Sequence, residues 1–163
     1  MKLFIFSFLV AVVGTIAVNA HTQAEWQKFT SAGDKFTASF PCKPEVESEA
    51  GDADNAVFIS CAFEGVVYQI SILDMPPKAN ASILQSFITG VEKGFGGKIL
   101  YKRDFSAGSI SGTDFAIESG TLVGEFRAFA IGRRIFTLNV AKEKTVAKKM
   151  ELEKFYSSFK SDR

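Results

Sequence analysis

His21 is the single histidine of the 163 residues, so any mechanism in which an imidazole takes a proton from a serine or cysteine nucleophile would have to run through it. At the start of an exported chain it is also a candidate N-terminal copper ligand, its amino group and ring nitrogen chelating together. A stable copper site asks for a further ligand, and there is no second histidine. Asp52-Ala-Asp54-Asn55-Ala56-Val57 begins like a calcium loop but lacks the third oxygen ligand and the glycine of the EF-hand pattern, and reads as a solvated loop. Gly94-Phe-Gly-Gly-Lys98 shares glycines and a lysine with phosphate-binding loops. A Walker loop needs glycine at position 92 and serine or threonine at position 99, where this chain has Glu92 and Ile99, and it follows a strand rather than a helical pattern. The segment reads as a helix exit. Carboxylate pairs for glycoside chemistry would have to come from 18 Asp and Glu residues, and no spacing selects a pair. The residue types thus name no catalytic group, no cofactor and no metal ligand beyond the His21 candidate.

The first 20 residues, MKLFIFSFLVAVVGTIAVNA, carry one cation, Lys2, then an apolar run from Leu3 to Val18 and a small-x-small ending at Ala20. This is the pattern of a cleaved secretory signal peptide, with cleavage expected between Ala20 and His21; the alternative is retention as an anchor, for which the run is short. Residues 21–163 then form a single domain, which does not span a membrane after cleavage. Export makes a disulfide the first reading of Cys42 and Cys61, because the oxidising compartment lets the bond persist. Cys42 continues the alternation Phe36, Ala38, Phe40, and Cys61 belongs to Val57, Ile59, Phe63, so each sits at the apolar phase of its segment.

Those residues need elements to hold them. Phe36–Phe40 alternates with period two and stops at Pro41; Pro44–Glu49 reads as a second, short strand. The polar stretch from Ser48 to Asn55 leads into Ala56–Phe63, and Glu64-Gly65 turns the chain into Val66–Leu73. After Pro76-Pro77, Asn80 or Ser82 can cap a helix over 82–93 with Ile83, Leu84, Phe87, Ile88 and Val91 on one face, which Gly94 is expected to end in a left-handed conformation. Strands are expected at Lys98–Phe105, Thr113–Ser119, Leu122–Ile131 and Arg134–Val140, the last two joined by Gly132-Arg133 in a type II′ turn. The tail from Lys144 to Phe159 reads as a helix whose apolar residues fall into two offset groups, implying a bend or a rotating contact surface. Strands, helix, strands, helix indicate α+β, with one antiparallel sheet flanked by helices.

Composition bounds the rest. With 47% hydrophobic and 23% charged residues and a net charge of +1, the chain is neither disordered nor basic enough for a general nucleic-acid binder. Three of its 17 phenylalanines, Phe4, Phe6 and Phe8, belong to the signal segment. Charge is uneven: Glu45, Glu47, Glu49, Asp52 and Asp54 make the first half acidic, and Arg133, Arg134, Lys142, Lys144, Lys148 and Lys149 make the second half basic. Solvated faces account for this, and a docking surface built on Arg133, Arg134, Lys144, Lys148 and Lys149 is the functional alternative.

Trp26-x-x-Phe29, Gly33-Asp-Lys-Phe36-Thr-Ala-Ser-Phe40-Pro41 with Pro44, the Tyr68-centred strand, the helix at 82–93 and the ending Phe155-Tyr-Ser-Ser-Phe159 together resemble the PsbP/Mog-like family, which includes the periplasmic DcrB-like proteins. The resemblance covers nearly the whole chain after the signal segment and implies an α/β/α sandwich. Members are mostly non-catalytic accessory or binding proteins, so it carries over no functional residue. The chain departs from the lipoprotein members in having His21 where a lipid-accepting cysteine would stand, and its cysteine pair is not required by the family pattern. The expectation is a periplasmic or secreted, non-catalytic domain binding another envelope protein. A module for a small apolar ligand such as a lipid is the alternative, and a carboxylate-based hydrolase is a third reading.

Overall fold

Period-two runs of apolar residues become strands, and the long 3.6-period run becomes a helix. The computed structural model describes residues 25–50, 55–75 and 82–161. The signal segment, His21, Asp52, Asp54, Pro76-Pro77 and Asn80 lie outside the described residues. The elements in chain order are β1 (Gln27–Ser31), β2 (Phe36–Phe40), β3 (Glu45–Ala50), β4 (Asn55–Phe63), β5 (Val66–Asp74), α1 (Ser82–Phe95), β6 (Lys98–Ala107), β7 (Ile110–Ser119), β8 (Leu122–Ile131), β9 (Arg134–Glu143), α2 (Leu152–Ser158) and β10 (Lys160–Ser161). Every pairing is antiparallel. A seven-stranded sheet has the order β3-β4-β5-β9-β8-β7-β6, and a three-stranded sheet the order β1-β2-β10. The architecture is α+β, as the element order implied, with a second, smaller sheet that the pattern had not separated.

Alternation along the large sheet builds two cores. On one face Ile59, Cys61, Tyr68, Ile70, Ile72, Phe129, Phe136, Leu138 and Val140 meet Phe36, Ala38 and Phe40 of the small sheet and Phe155, Tyr156 and Phe159 at the C-terminal end. On the other face α1 lays Leu84, Phe87, Ile88, Val91 and Phe95 against Phe115, Ile117, Phe126 and Ala128. The layers are therefore α1, the large sheet, and α2 with the small sheet. Arg134 fastens the outer layer to the middle one, donating to Asp34 at 2.6 Å and to Asp74 at 2.7 Å.

Cys42 and Cys61 form a disulfide with Cα atoms 5.9 Å apart. It ties the chain just beyond β2 to the C-terminal part of β4, closing a 19-residue separation across the two sheets. Constraining the unfolded chain over a loop of that length contributes about 3 kcal/mol. The double variant Cys42→Ser with Cys61→Ser is expected to lose about that much in urea titrations, and a loss below about 1 kcal/mol would show that the bond does not restrain the unfolded chain.

Two local expectations are corrected, and one strand is added. The added strand is β1, whose Phe29 packs on Phe36 and Phe40 with ring centroids 6.2 Å apart in both pairs. Gly94 does not end α1. The helix runs on to Phe95, whose ring packs edge-on against Phe126 at 5.6 Å, and Gly96 takes the left-handed conformation at φ 60°. The tail is not helical from Lys144. Lys142 Nζ donates to the carbonyls of Val146 and Lys148 at 3.0 and 2.9 Å, so these oxygens are satisfied without the i+4 N–H bonds of a helix, which starts only at Leu152. The two offset apolar groups are thus an irregular stretch holding Val146 and Met150 on the core, followed by a short helix holding Phe155 and Tyr156.

Candidate functional site

The outer layer leaves the β6–β8 end of its sheet face open, and the side chains there are polar and aromatic. Register places them in rows: Arg103 beside Asp114 beside Arg127, and Tyr101 beside Ala116 beside Glu125. Arg127 Nε and Nη2 donate to the two carboxylate oxygens of Asp114 at 2.8 and 2.9 Å. The guanidinium is also clamped between rings, 4.3 Å from the centroid of Phe105 and 4.6 Å from that of Tyr156. Phe105 can reach over β7 because position 112 is glycine; a Cβ there would sit 2.8 Å from its ring. Asp114 is nearly sealed, with 4% of its side chain exposed, whereas Arg103, 3.7 Å from the same carboxylate, is 65% exposed. Arg103 also lies 5.2 Å over the ring of Tyr101, whose hydroxyl donates to Glu125.

This is a pre-positioned array of two guanidinium groups, two carboxylates and a phenol. Burial pushes the Glu125 carboxyl up, against the hydrogen bond from Tyr101 and the charge of Arg103, which pull it down. Burial and the neighbouring Glu125 carboxylate raise the Tyr101 phenol. The buried Tyr156 phenol is raised for the first of these reasons, and its hydroxyl has no hydrogen-bond partner among the described residues. Both Asp114 oxygens accept from Arg127 and Glu125 accepts from Tyr101, so the two carboxylates on this face are already engaged. Because the Glu125 pKa is raised on folding, its contribution is fully present below the unfolded value of about 4.3 and is lost as pH rises through the folded pKa. Denaturant titrations of the wild type and Glu125→Gln across that window are expected to show the wild type losing stability relative to the variant as pH rises. A constant difference would place Glu125 in free contact with water.

The residues expected to dock a partner do not form one patch. Arg133 and Arg134 stand at the β8–β9 turn; Arg133 donates to the Met75 carbonyl at 3.0 Å and Arg134 is held by Asp34 and Asp74. Lys144, Lys148 and Lys149 lie past the other end of β9, about nine residues or roughly 30 Å away. There Lys144 pairs with Glu118 at 2.9 Å and Lys148 with Glu64 at 2.7 Å. Glu45, Glu47 and Glu49 stand exposed on β3. Gly94 to Lys98 is the exit of α1 and the first residue of β6.

The phenylalanines pack on one another: Phe36 on Phe159 at 5.2 Å, Phe129 on Phe136 at 5.6 Å and Phe115 on Phe126 at 4.9 Å. A recess of about 40 Å³ beside Arg127, Phe105 and Tyr156, and a shallow one of about 210 Å³ at Ser109, Ile131 and Gly132, fall short of the roughly 300 Å³ at which small-molecule pockets begin. Among the described residues no three carboxylate, histidine or cysteine groups converge to hold a metal, and no helix is long and apolar enough to cross a membrane.

Sequence reasoning did not single out Tyr101, Arg103, Asp114, Glu125, Arg127 or Tyr156. The signal was present. A two-residue loop at Gly120-Thr121 sets Asp114 opposite Arg127, and each charge adjoins apolar residues, Asp114 preceding Phe115-Ala116-Ile117 and Arg127 standing between Phe126 and Ala128.

No family model matches the chain, and no curated protein matches it by sequence. Among solved structures, the solution structure of cyanobacterial PsbP (CyanoP) from Synechocystis sp. PCC 6803 matches with a TM-score of 0.61 at 10% identity, over 89% of this chain and 97% of that one. A protein of Bacteroides thetaiotaomicron VPI-5482 matches with a TM-score of 0.40 at 15% identity, over 83% of this chain and 48% of that one, so this chain spans about half its length. The first match shows a shared fold, the one that the Trp26, Phe36–Pro41 and Phe155–Phe159 motifs implied.

Proposed function

We propose that this chain, with the fold of cyanobacterial PsbP and a disulfide across its two sheets, is an exported, non-catalytic accessory domain that binds another protein of the cell envelope. The observation that carries the reading is the open face of β6–β8, where a sealed Asp114 fixes Arg127 between two rings while Arg103 and Tyr101 remain at the surface. Fixed arginine and tyrosine side chains suit protein recognition, since little rotamer freedom is left to lose on binding. The disulfide supports export, because such bonds persist in oxidising compartments. Lys144, Lys148 and Arg134 are taken up by acidic groups of this chain, whereas Lys149 and Arg133, with no ion-pair partner among the described residues, and the 65% exposed Arg103 are left to meet carboxylates on a partner surface.

Amine-reactive cross-linking in intact envelopes is expected to capture one dominant partner other than the chain itself, and Arg103→Glu is expected to abolish the capture. Recovery of the chain with no heterologous partner, or capture indifferent to Arg103→Glu, overturns the reading.

A further inference from the structure

Among the described residues the large sheet ends in two unpaired edges, β3 and β6, and they are not alike. On β3, Glu45, Glu47 and Glu49 alternate onto one face, so pairing β3 with another β3 sets carboxylates opposite carboxylates, a common protection of a sheet edge. On β6 nine of the ten residues are exposed, Phe105 being the half-buried one, and the apolar Ile99 and Leu100 are 39% and 47% exposed. The charges of β6 are of mixed sign: Lys102 and Asp104 share one face, and Tyr101, Arg103 and Phe105 share the other.

We propose that the chain forms a homodimer by antiparallel pairing of β6 with the β6 strand of a second copy, about a two-fold axis through Arg103. A two-fold axis perpendicular to the sheet keeps each face continuous, so residues directly opposite must share a face and the axis must pass through a residue position. Through Lys102 it would oppose two ammonium groups, and through Asp104 two carboxylates. Through Arg103 it sets Lys102 opposite Asp104 of the partner subunit, and Tyr101 opposite Phe105 of the partner subunit, each pair occurring twice by symmetry. Opposite charges and aromatic pairs directly across a ladder are the stabilising combinations.

The groups involved are available for this. Asp104 has no ion pair among the described residues, and Lys102 has only a long contact to Glu92, at 3.8 Å. The two arginines that meet at the axis each lie 3.7 Å from their own Asp114, which offsets their charge within the subunit. The register irregularity between Ile99 and Tyr101 interrupts the edge there, leaving Tyr101–Phe105 as a regular stretch symmetric about Arg103. Pairing uses the edge and leaves the open face uncovered, so the inference does not rest on the envelope partner. It would join the faces of two copies into one.

Sedimentation of the full chain with its disulfide intact, from about 1 μM to about 1 mM, is expected to show a monomer–dimer equilibrium. Asp104→Lys sets two lysine pairs face to face, and Lys102→Asp two carboxylate pairs; each variant alone is expected to weaken dimerisation about tenfold or more. An equimolar mixture of the two variant chains restores opposite charges at every pair and is expected to dimerise at least as tightly as the wild type. Thermal unfolding of each variant at about 1 μM, where the wild type is expected to be largely monomeric, should match the wild type and so separates interface loss from misfolding. A monomer at all concentrations overturns the proposal, and so does a dimer unaffected by either variant or a mixture no tighter than its components.

Discussion

Arg127→Ala is expected to destabilise the protein by about 3 to 5 kcal/mol, because it strands the Asp114 carboxylate in a site with almost no access to water. Two hydrogen bonds of 2.8 and 2.9 Å disappear together, and Phe105 and Tyr156 lose the cation between them. Arg103 does not substitute, since at 3.7 Å and largely solvated it offers only a screened charge. A loss of this size is a large share of a typical domain's total of about 5 to 15 kcal/mol. Removing both charges in Asp114→Leu with Arg127→Met is expected to recover most of it, because no buried ion is then left unpaired. Urea titration of the single and double variants provides the check: a single-variant loss under about 1 kcal/mol, or a double variant no better than the single, would mean that the Asp114 carboxylate is hydrated.

Phe155→Ala is expected to cost a comparable 3 to 5 kcal/mol, about the usual range for deleting a buried aromatic ring. Phe155 is 0% exposed and is ringed by Phe40, Tyr68, Tyr156 and Trp26, with centroids 5.3, 5.5, 6.1 and 6.4 Å away. The element carrying it is weak by itself. Helix α2 has seven residues, too few to be stable in isolation, and Glu151 at its N-terminus makes no side-chain cap. Docking therefore makes the helix, and amide exchange across 151–161 should accelerate in Phe155→Ala well beyond exchange in β7 and β8. Uniform acceleration across the chain would show instead that α2 unfolds only with the whole domain.

Strands were legible because a two-residue period needs no partner to be seen: Phe36–Phe40, Leu122–Ile131 and the runs on either side of Glu64-Gly65 stand in the structure where alternation put them. The disulfide was read first from the expected export and supported by the apolar phase of Cys42 and Cys61, and the structure joins the two, Cys61 in the core and Cys42 packed at its margin. The Gly132-Arg133 loop matched its turn, with positive φ at the glycine alone of the two. The tail was misread because helix-forming composition from Lys144 onward is a weak local preference, and the bonds from Lys142 to two carbonyls override it. The split into two sheets was hidden for a different reason. Strand β10 is two residues long, and it exists only because α2 delivers Lys160 and Ser161 beside Thr37 and Phe36.

By itself, then, the sequence determined an α+β chain with an antiparallel sheet, one long amphipathic helix, and a paired Cys42 and Cys61. All of these rest on local period, residue phase or composition, which are properties of neighbouring residues. Tertiary structure decided which charges act together. It separated Arg133 and Arg134 from Lys144, Lys148 and Lys149 by the length of β9, and it gathered Tyr101, Arg103, Asp114, Glu125, Arg127 and Tyr156 from three strands and a helix onto one face. The physical reason is that lateral strand order and helix docking bring residues together across tens of positions, and periodicity along the chain does not contain that order.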